Sequence, residues 1–93
     1  MNDLKTLKEK QINDYISNTL LNEDSIDVDV MKDALGQILG EKPGIDLEYK
    51  TEQLIMEDGK KSIRKDKLES VSIYYTYEEN GTLKFGTLTY LTD

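Results

Sequence analysis

Apolar residues recur at helical spacing along the first part of the chain. From about Asp3 to Leu21, the residues Leu4, Leu7, Ile12, Tyr15, Ile16, Thr19 and Leu20 fall near one stripe, with Lys, Glu and Asn between them. Steps of three and four predict an amphipathic helix, with Asn2 or Asp3 as its N-cap. A second helix is predicted from Asp27 or Asp29 to Leu39, where Val28, Met31, Ala34, Leu35, Ile38 and Leu39 repeat the spacing. Gly40 suits the left-handed residue past a helix end, and Pro43-Gly44 prevents continuation. Gly36 inside this helix costs about 1 kcal/mol against Ala, so packing must hold the helix together.

At Ile45 the period drops to two. Ile45, Leu47 and Tyr49 alternate with Asp46, Glu48 and Lys50, and Val71, Ile73, Tyr75 and Tyr77 alternate with Ser72, Tyr74 and Thr76. With a third run from Leu83 to Leu91, these read as half-buried strands. Asn80-Gly81 is the strongest short hairpin signal in the chain, and Asp58-Gly59 is nearly as strong. Each admits a two-residue type I′ turn or a three-residue loop with a glycine bulge, and the choice decides which side chains share a face. At Asp58-Gly59 the two-residue form sets Tyr49 against Leu68 and places Val71 with Asp46. The three-residue form sets Ile45 against Val71 and keeps the apolar face continuous, so it is the expected one. The same geometry at Asn80-Gly81 sets Tyr75 against Phe85 and Tyr77 against Leu83. The expected fold is α+β in the order ααβββ. Two N-terminal helices pack on a three-stranded antiparallel β-meander, one domain spans 1–93, and Thr51 to Lys67 projects as a charged ribbon.

Leu, Ile, Val and Phe make up about a quarter of the chain, above the roughly one-fifth below which chains tend to stay disordered. There is no cysteine, which removes disulfides and thiolate chemistry. Met1 to Lys5 leads into no apolar run of signal-peptide length, and no stretch approaches the ~18 apolar residues of a membrane span. A cytoplasmic address is the expectation. Every base but Arg64 is lysine, and Ile and Asn are frequent, a bias that goes with AT-rich coding DNA and points to a low-GC bacterium or its phages.

Charge narrows the partners. The net charge of −7 repels nucleic acid and anionic lipid and attracts basic surfaces, which disfavours direct nucleic-acid binding and any membrane role. The distribution is uneven. Asn13 to Met31 holds Asp14, Glu23, Asp24, Asp27 and Asp29 with no base, whereas Glu57 to Lys67 holds Lys60, Lys61, Arg64, Lys65 and Lys67 against Glu57, Asp58 and Asp66.

Catalysis is not expected. Without His or Cys the chain lacks the usual general base and the best nucleophile, and a carboxylate pair needs a cleft that holds two acids in contrasting environments. No P-loop or dinucleotide fingerprint occurs, so no cofactor is implied. Glu23, Asp24, Asp27 and Asp29 lack the glycine of a calcium-binding loop, and acids beside a helix N-terminus ordinarily oppose its dipole.

Three candidate partner-binding surfaces remain. The first is the acidic run Glu23, Asp24, Asp27 and Asp29. In an extended conformation, alternate carboxylates stand about 6.8 Å apart, near twice the ~3.4 Å rise per nucleotide of a DNA strand, which would let them mimic a nucleic acid. The second is an outward tyrosine face, Tyr74 with Phe85 or Leu83 across from it, since Tyr is favoured at interfaces. A base-stacking use of these rings is opposed by Glu78, Glu79 and the net charge. The third is the basic group Lys60, Lys61, Arg64 and Lys65, which ordinarily serves to keep sheet edges from aggregating. The expected function is that of a small non-enzymatic inhibitor or regulator docking on a basic surface of a larger, nucleic-acid-handling host protein. In size and acidity the chain is similar to the small anti-restriction and anti-CRISPR proteins, a likeness of character carried by no motif, which implies a phage or mobile-element origin. The alternatives are an assembly subunit that forms a homodimer through its strand or tyrosine face, and a nucleic-acid binder using the Lys60–Lys67 ribbon.

Overall fold

The computed structural model describes residues 4–50 and 62–92. The expected caps Asn2 and Asp3, the Asp58-Gly59 turn, and Lys60 and Lys61 lie outside the described residues. The fold is α+β, with two helices and antiparallel sheets. Helix α1 spans Leu4–Asn22 and α2 spans Val28–Leu39, with strand β1 (Ser25–Asp27) between them. Then follow β2 (Gly44–Tyr49), β3 (Ser62–Arg64), a 3₁₀ turn at Lys65–Lys67, β4 (Leu68–Glu79) and β5 (Thr82–Leu91).

The helices form where the periodicity places them. Of the α1 stripe, Ile12 and Ile16 are fully buried and Tyr15 and Leu20 partly so, whereas Leu4 and Leu7 remain exposed. In α2, Met31 and Leu35 are the buried residues. Asp27 is its N-cap, accepting from the backbone N–H groups of Asp29 at 3.0 Å and Val30 at 3.2 Å. That bonding satisfies two of the donors that a helix start leaves without intrahelical partners. Gly40, at φ 86°, ends the helix in the left-handed conformation and donates its N–H to the Gly36 carbonyl.

The strands depart from a simple meander. The sheets are a three-stranded one in the order β2-β4-β5 and a two-stranded one pairing β1 with β3. In the smaller sheet Ile26 lies opposite Ile63. Ile26 is buried and Ile63 packs against the same core, so this pairing joins the interhelical connection to the apolar centre. Residues Ser62 to Lys67 are therefore not part of a projecting ribbon. The backbone N–H of Lys65 donates to the Asp24 carbonyl at 2.7 Å, and its ammonium donates to the Leu20 carbonyl at the end of α1. That cation stands where a helix C-terminus favours positive charge, at a helix with no base in its own last turn.

Both expected registers are corrected. Ile45 pairs with Ile73 and Leu47 with Val71, not Ile45 with Val71, and the register shifts between Glu48 and Tyr49 so that Tyr49 meets Leu68. The faces keep the expected parity, and the bulge brings Leu68 into the core beside Val71 and Ile73. At the other turn Glu79 pairs with Thr82, leaving a two-residue loop, with Asn80 at φ 53° and Gly81 at φ 79°. Two positive φ angles define a type I′ turn, whose twist matches that of the strands. Tyr75 consequently faces Gly86, not Phe85, and Tyr77 faces Lys84, not Leu83. The cause is steric: a Cβ on Gly86 would lie 2.4 Å from the Tyr75 Cζ, so the ring occupies the space that a side chain would need.

The core lies between the helices and the inner sheet face of Val71, Ile73 and Tyr75, with Leu88 and Tyr90 of β5 packed against it. Ile73→Ala is expected to destabilise by roughly 2–5 kcal/mol as a core truncation, while Asp46→Ala, at an exposed position opposite Ser72, is expected to be nearly neutral. Gly86→Val is expected to cost at least about 1–3 kcal/mol through overpacking against Tyr75. Urea denaturation of the three variants checks that order.

Candidate interaction surfaces

Strand alternation divides the larger sheet into the core face and an outer face. On the outer face stand Gly44, Asp46 and Glu48 of β2, Ser70, Ser72, Tyr74, Thr76 and Glu78 of β4, and Leu83, Phe85, Thr87, Thr89 and Leu91 of β5. No strand position of this face is Lys or Arg. Phe85 is 78% exposed, Leu91 72%, Leu83 59% and Tyr74 47%, so large apolar side chains stand in solvent where the helices do not reach. Tyr74 lies opposite Thr87 and Phe85 opposite Thr76, which makes Tyr74 and Phe85 diagonal neighbours within aromatic reach. Short polar contacts knit the rest: the Ser72 and Thr89 hydroxyls bond at 2.9 Å, Ser70 donates to Glu48 at 3.4 Å, and Thr76 donates to Glu41.

Above Tyr74 and Phe85 a hollow of about 250 Å³ is lined by Pro43, Gly44, Tyr74, Thr76, Phe85 and Thr87, among others. Two lysines at its rim are engaged, Lys8 donating to the Thr76 carbonyl at 2.7 Å and Lys42 bridging to Asp33 at 3.0 Å. The hollow is smaller than the ~300–1,000 Å³ typical of ligand sites and suits a single side chain.

The other tyrosines serve the interior. Tyr75 donates its hydroxyl proton to Glu9 and Tyr90 to Asn13, tying β4 and β5 to α1. The Tyr75 and Tyr77 ring centroids are 6.1 Å apart, and the Lys5 ammonium lies 5.8 Å from the centre of the Tyr77 ring. Burial, reinforced by the hydrogen bond to Glu9, raises the Tyr75 phenol well above its ordinary value. Burial and then the Glu9 charge push Tyr90 from 10.0 up to about 12.

The acidic run is not one extended array. Glu23 and Asp24 are exposed, Asp27 closes strand β1 while capping α2, and Asp29 lies in the first turn of that helix. Asp27 alone of these acids sits on a strand, so the alternate-carboxylate spacing along an extended segment does not arise. The smaller sheet also brings the opposite charges together, with Arg64 opposite Ser25. The Arg64 guanidinium grips Asp66 at 2.9 and 3.2 Å. The hydrogen bond that Arg64 donates to Asp66 raises the Arg64 pKa, with a further contribution from Asp24, and the same bond lowers that of Asp66. Of the basic group, Arg64 and Lys65 are thus tied to the fold.

Sequence reasoning found Tyr74 and Phe85 but did not assemble Thr87, Thr89 and Leu91 with them. The available signal was Gly86, since a glycine within a strand marks a close approach and selects the register that turns the odd-numbered residues of β5 outward. Among the described residues no cluster of acids could hold a metal ion, and no helix is long and apolar enough to cross a membrane.

Two outcomes follow from these placements. Asp27→Ala is expected to cost about 1 kcal/mol as a lost helix cap, whereas Asp24→Ala is expected to leave the urea midpoint unchanged. At alkaline pH the folded state keeps its Tyr75 and Tyr90 protons while the unfolded chain releases them, so stability is full below pH 10 and falls as pH rises toward 12. The double variant Tyr75→Phe, Tyr90→Phe is expected to flatten that fall in denaturation midpoints measured from pH 8 upward. Comparison with protein-family models, with curated proteins and with solved structures finds no match for this chain.

Proposed function

We propose that this chain is a non-enzymatic interaction protein that docks through the outer face of its larger sheet onto a basic surface of a larger protein. The observation that carries the reading is the composition of that face: exposed Tyr74, Leu83, Phe85 and Leu91, with Asp46, Glu48 and Glu78 as its only charged strand positions. Contiguous exposed apolar side chains ringed by polar ones mark interaction sites, and aromatic anchors contribute most where a rim excludes water around them. Carboxylates at the rim select a positively charged partner and speed its encounter. The net charge of −7 acts in the same direction over longer range. A protein that handles nucleic acid offers such a basic surface, which makes an inhibitor or regulator of one, encoded by a phage or mobile element, the specific form of this reading.

The test is affinity capture from a lysate of the source cell, with the captured protein identified and its affinity then measured. The double variant Tyr74→Ser, Phe85→Ser is expected to weaken binding by about 2 kcal/mol or more, roughly thirtyfold, without loss of the circular dichroism spectrum. Wild-type affinity is expected to fall as salt rises. Undiminished binding by the double variant would remove the outer face as the docking surface. Loss of binding in Glu23→Lys, Asp24→Lys alone would transfer the role to the acidic run.

A further inference from the structure

We infer that β5 pairs with β5 of a second copy of this chain, antiparallel and centred on Thr87, joining two three-stranded sheets into one six-stranded sheet. Among the described residues, β5 stands at the end of the strand order β2-β4-β5, with β4 on one side only. The two-residue turn makes Glu79 and Thr82 a hydrogen-bonded pair, and bonded pairs then recur at every second residue. The Thr92 N–H bond to the Glu69 carbonyl at 3.2 Å continues that alternation past the strand end. Leu83, Phe85, Thr87, Thr89 and Leu91 therefore aim their backbone N–H and C=O groups away from β4, along the edge of the sheet.

Proteins guard such an edge by keeping it short, bulging it, or placing proline or charge on it. The opposite edge, β2, shows two of these devices: it is six residues long and carries Asp46 and Glu48. β5 shows only one of them, a single charge. It is ten residues long, pairs with β4 without a register shift, and contains neither proline nor a carboxylate. Its one charge, Lys84, is bridged to Glu79 at 3.0 Å. A chain with nineteen acids keeps all of them off this strand.

The partner is a second copy because the strand is complementary to itself in one register. Same-face pairing requires that paired residue numbers be of equal parity. Centring on Thr87 uses all five outward-directed residues, with Thr87 opposite Thr87 of the second copy, Phe85 opposite Thr89 and Leu83 opposite Leu91. Leucine meets leucine at both ends of the ladder, Lys84 meets Tyr90 and not another base, and no carboxylate faces a carboxylate. Moving the centre by one residue either way leaves outward-directed residues without partners. This pairing uses the backbone edge and does not depend on the docking role of the outer face. It would set the two outer faces side by side.

Sedimentation equilibrium of the full chain over a concentration series tests the pairing. The wild type is expected to be a dimer that dissociates on dilution. Thr87→Lys and Thr87→Glu each place like charges directly opposite across the twofold axis, which is destabilising, and each is expected to be monomeric where the wild type is dimeric. An equimolar mixture of the two is expected to recover the dimer mass, which no fold defect would produce. The chain lacks cysteine, so trapping gives a second readout. Thr87→Cys places two thiols on Cα atoms about 5.5 Å apart, within disulfide reach, whereas the two copies of Phe85→Cys lie about 14 Å apart. Oxidation is expected to link the first and not the second. A wild type that stays monomeric throughout, a dimer that persists in Thr87→Lys, or cross-linking of Phe85→Cys in preference to Thr87→Cys would each overturn the inference.

Discussion

The passage of the Tyr75 ring across Gly86 governs the arrangement of the larger sheet. The ring fills the space above the glycine and carries its hydroxyl to Glu9 on α1, so a buried polar group finds its partner and the sheet is tied to the first helix. For that to happen Tyr75 must face Gly86, which requires the Asn80-Gly81 loop to be two residues long. A three-residue loop would drive Phe85 into the same volume and turn Leu88 and Tyr90 to solvent. One aromatic contact thus selects the turn, and the turn decides that Leu83, Phe85 and Leu91 are outside.

Charge in this molecule is sorted by surface. Residues 62–67 of the base-rich segment fold back on the acidic one, where Lys65 closes the end of α1 and Arg64 holds Asp66 beside Asp24. The strand positions of the outer sheet face are left with carboxylates only. The strand positions of that sheet face thus present apolar and acidic groups, while Arg64 and Lys65 are paired within the chain itself.

The two helices were legible because their apolar periodicity and, for the second, the Gly40 terminator are local signals. The faces of the strands were legible for the same reason, since parity follows from alternation alone. Register was not, because it depends on where bulges fall and on which bulky side chain needs room. Two local cues existed: the three-residue step from Leu68 to Val71, which breaks the period of two and marks the bulge, and Gly86 itself. The β1–β3 pairing was hidden more deeply. Three-residue strands carry almost no alternation, and Ser25-Ile26-Asp27 reads equally well as an acidic helix entry. At the candidate surface Tyr74 and Phe85 were visible as aromatic residues in strands, but the stripe through Thr87, Thr89 and Leu91 needed the register to assemble it.

The Tyr90–Asn13 bond joins residues 77 positions apart, and its consequence concerns the order in which the chain can become a protein. A ribosome delivers α1 first and β5 last. Ile12 and Ile16 have no complete cover until β4 and β5 have both emerged, because those strands supply the opposing wall of the core. Folding of the core therefore waits until β5 has emerged, with rates set by distant pairings and not by helix formation. During that interval the nascent helices expose the same apolar stripe that later becomes the interior.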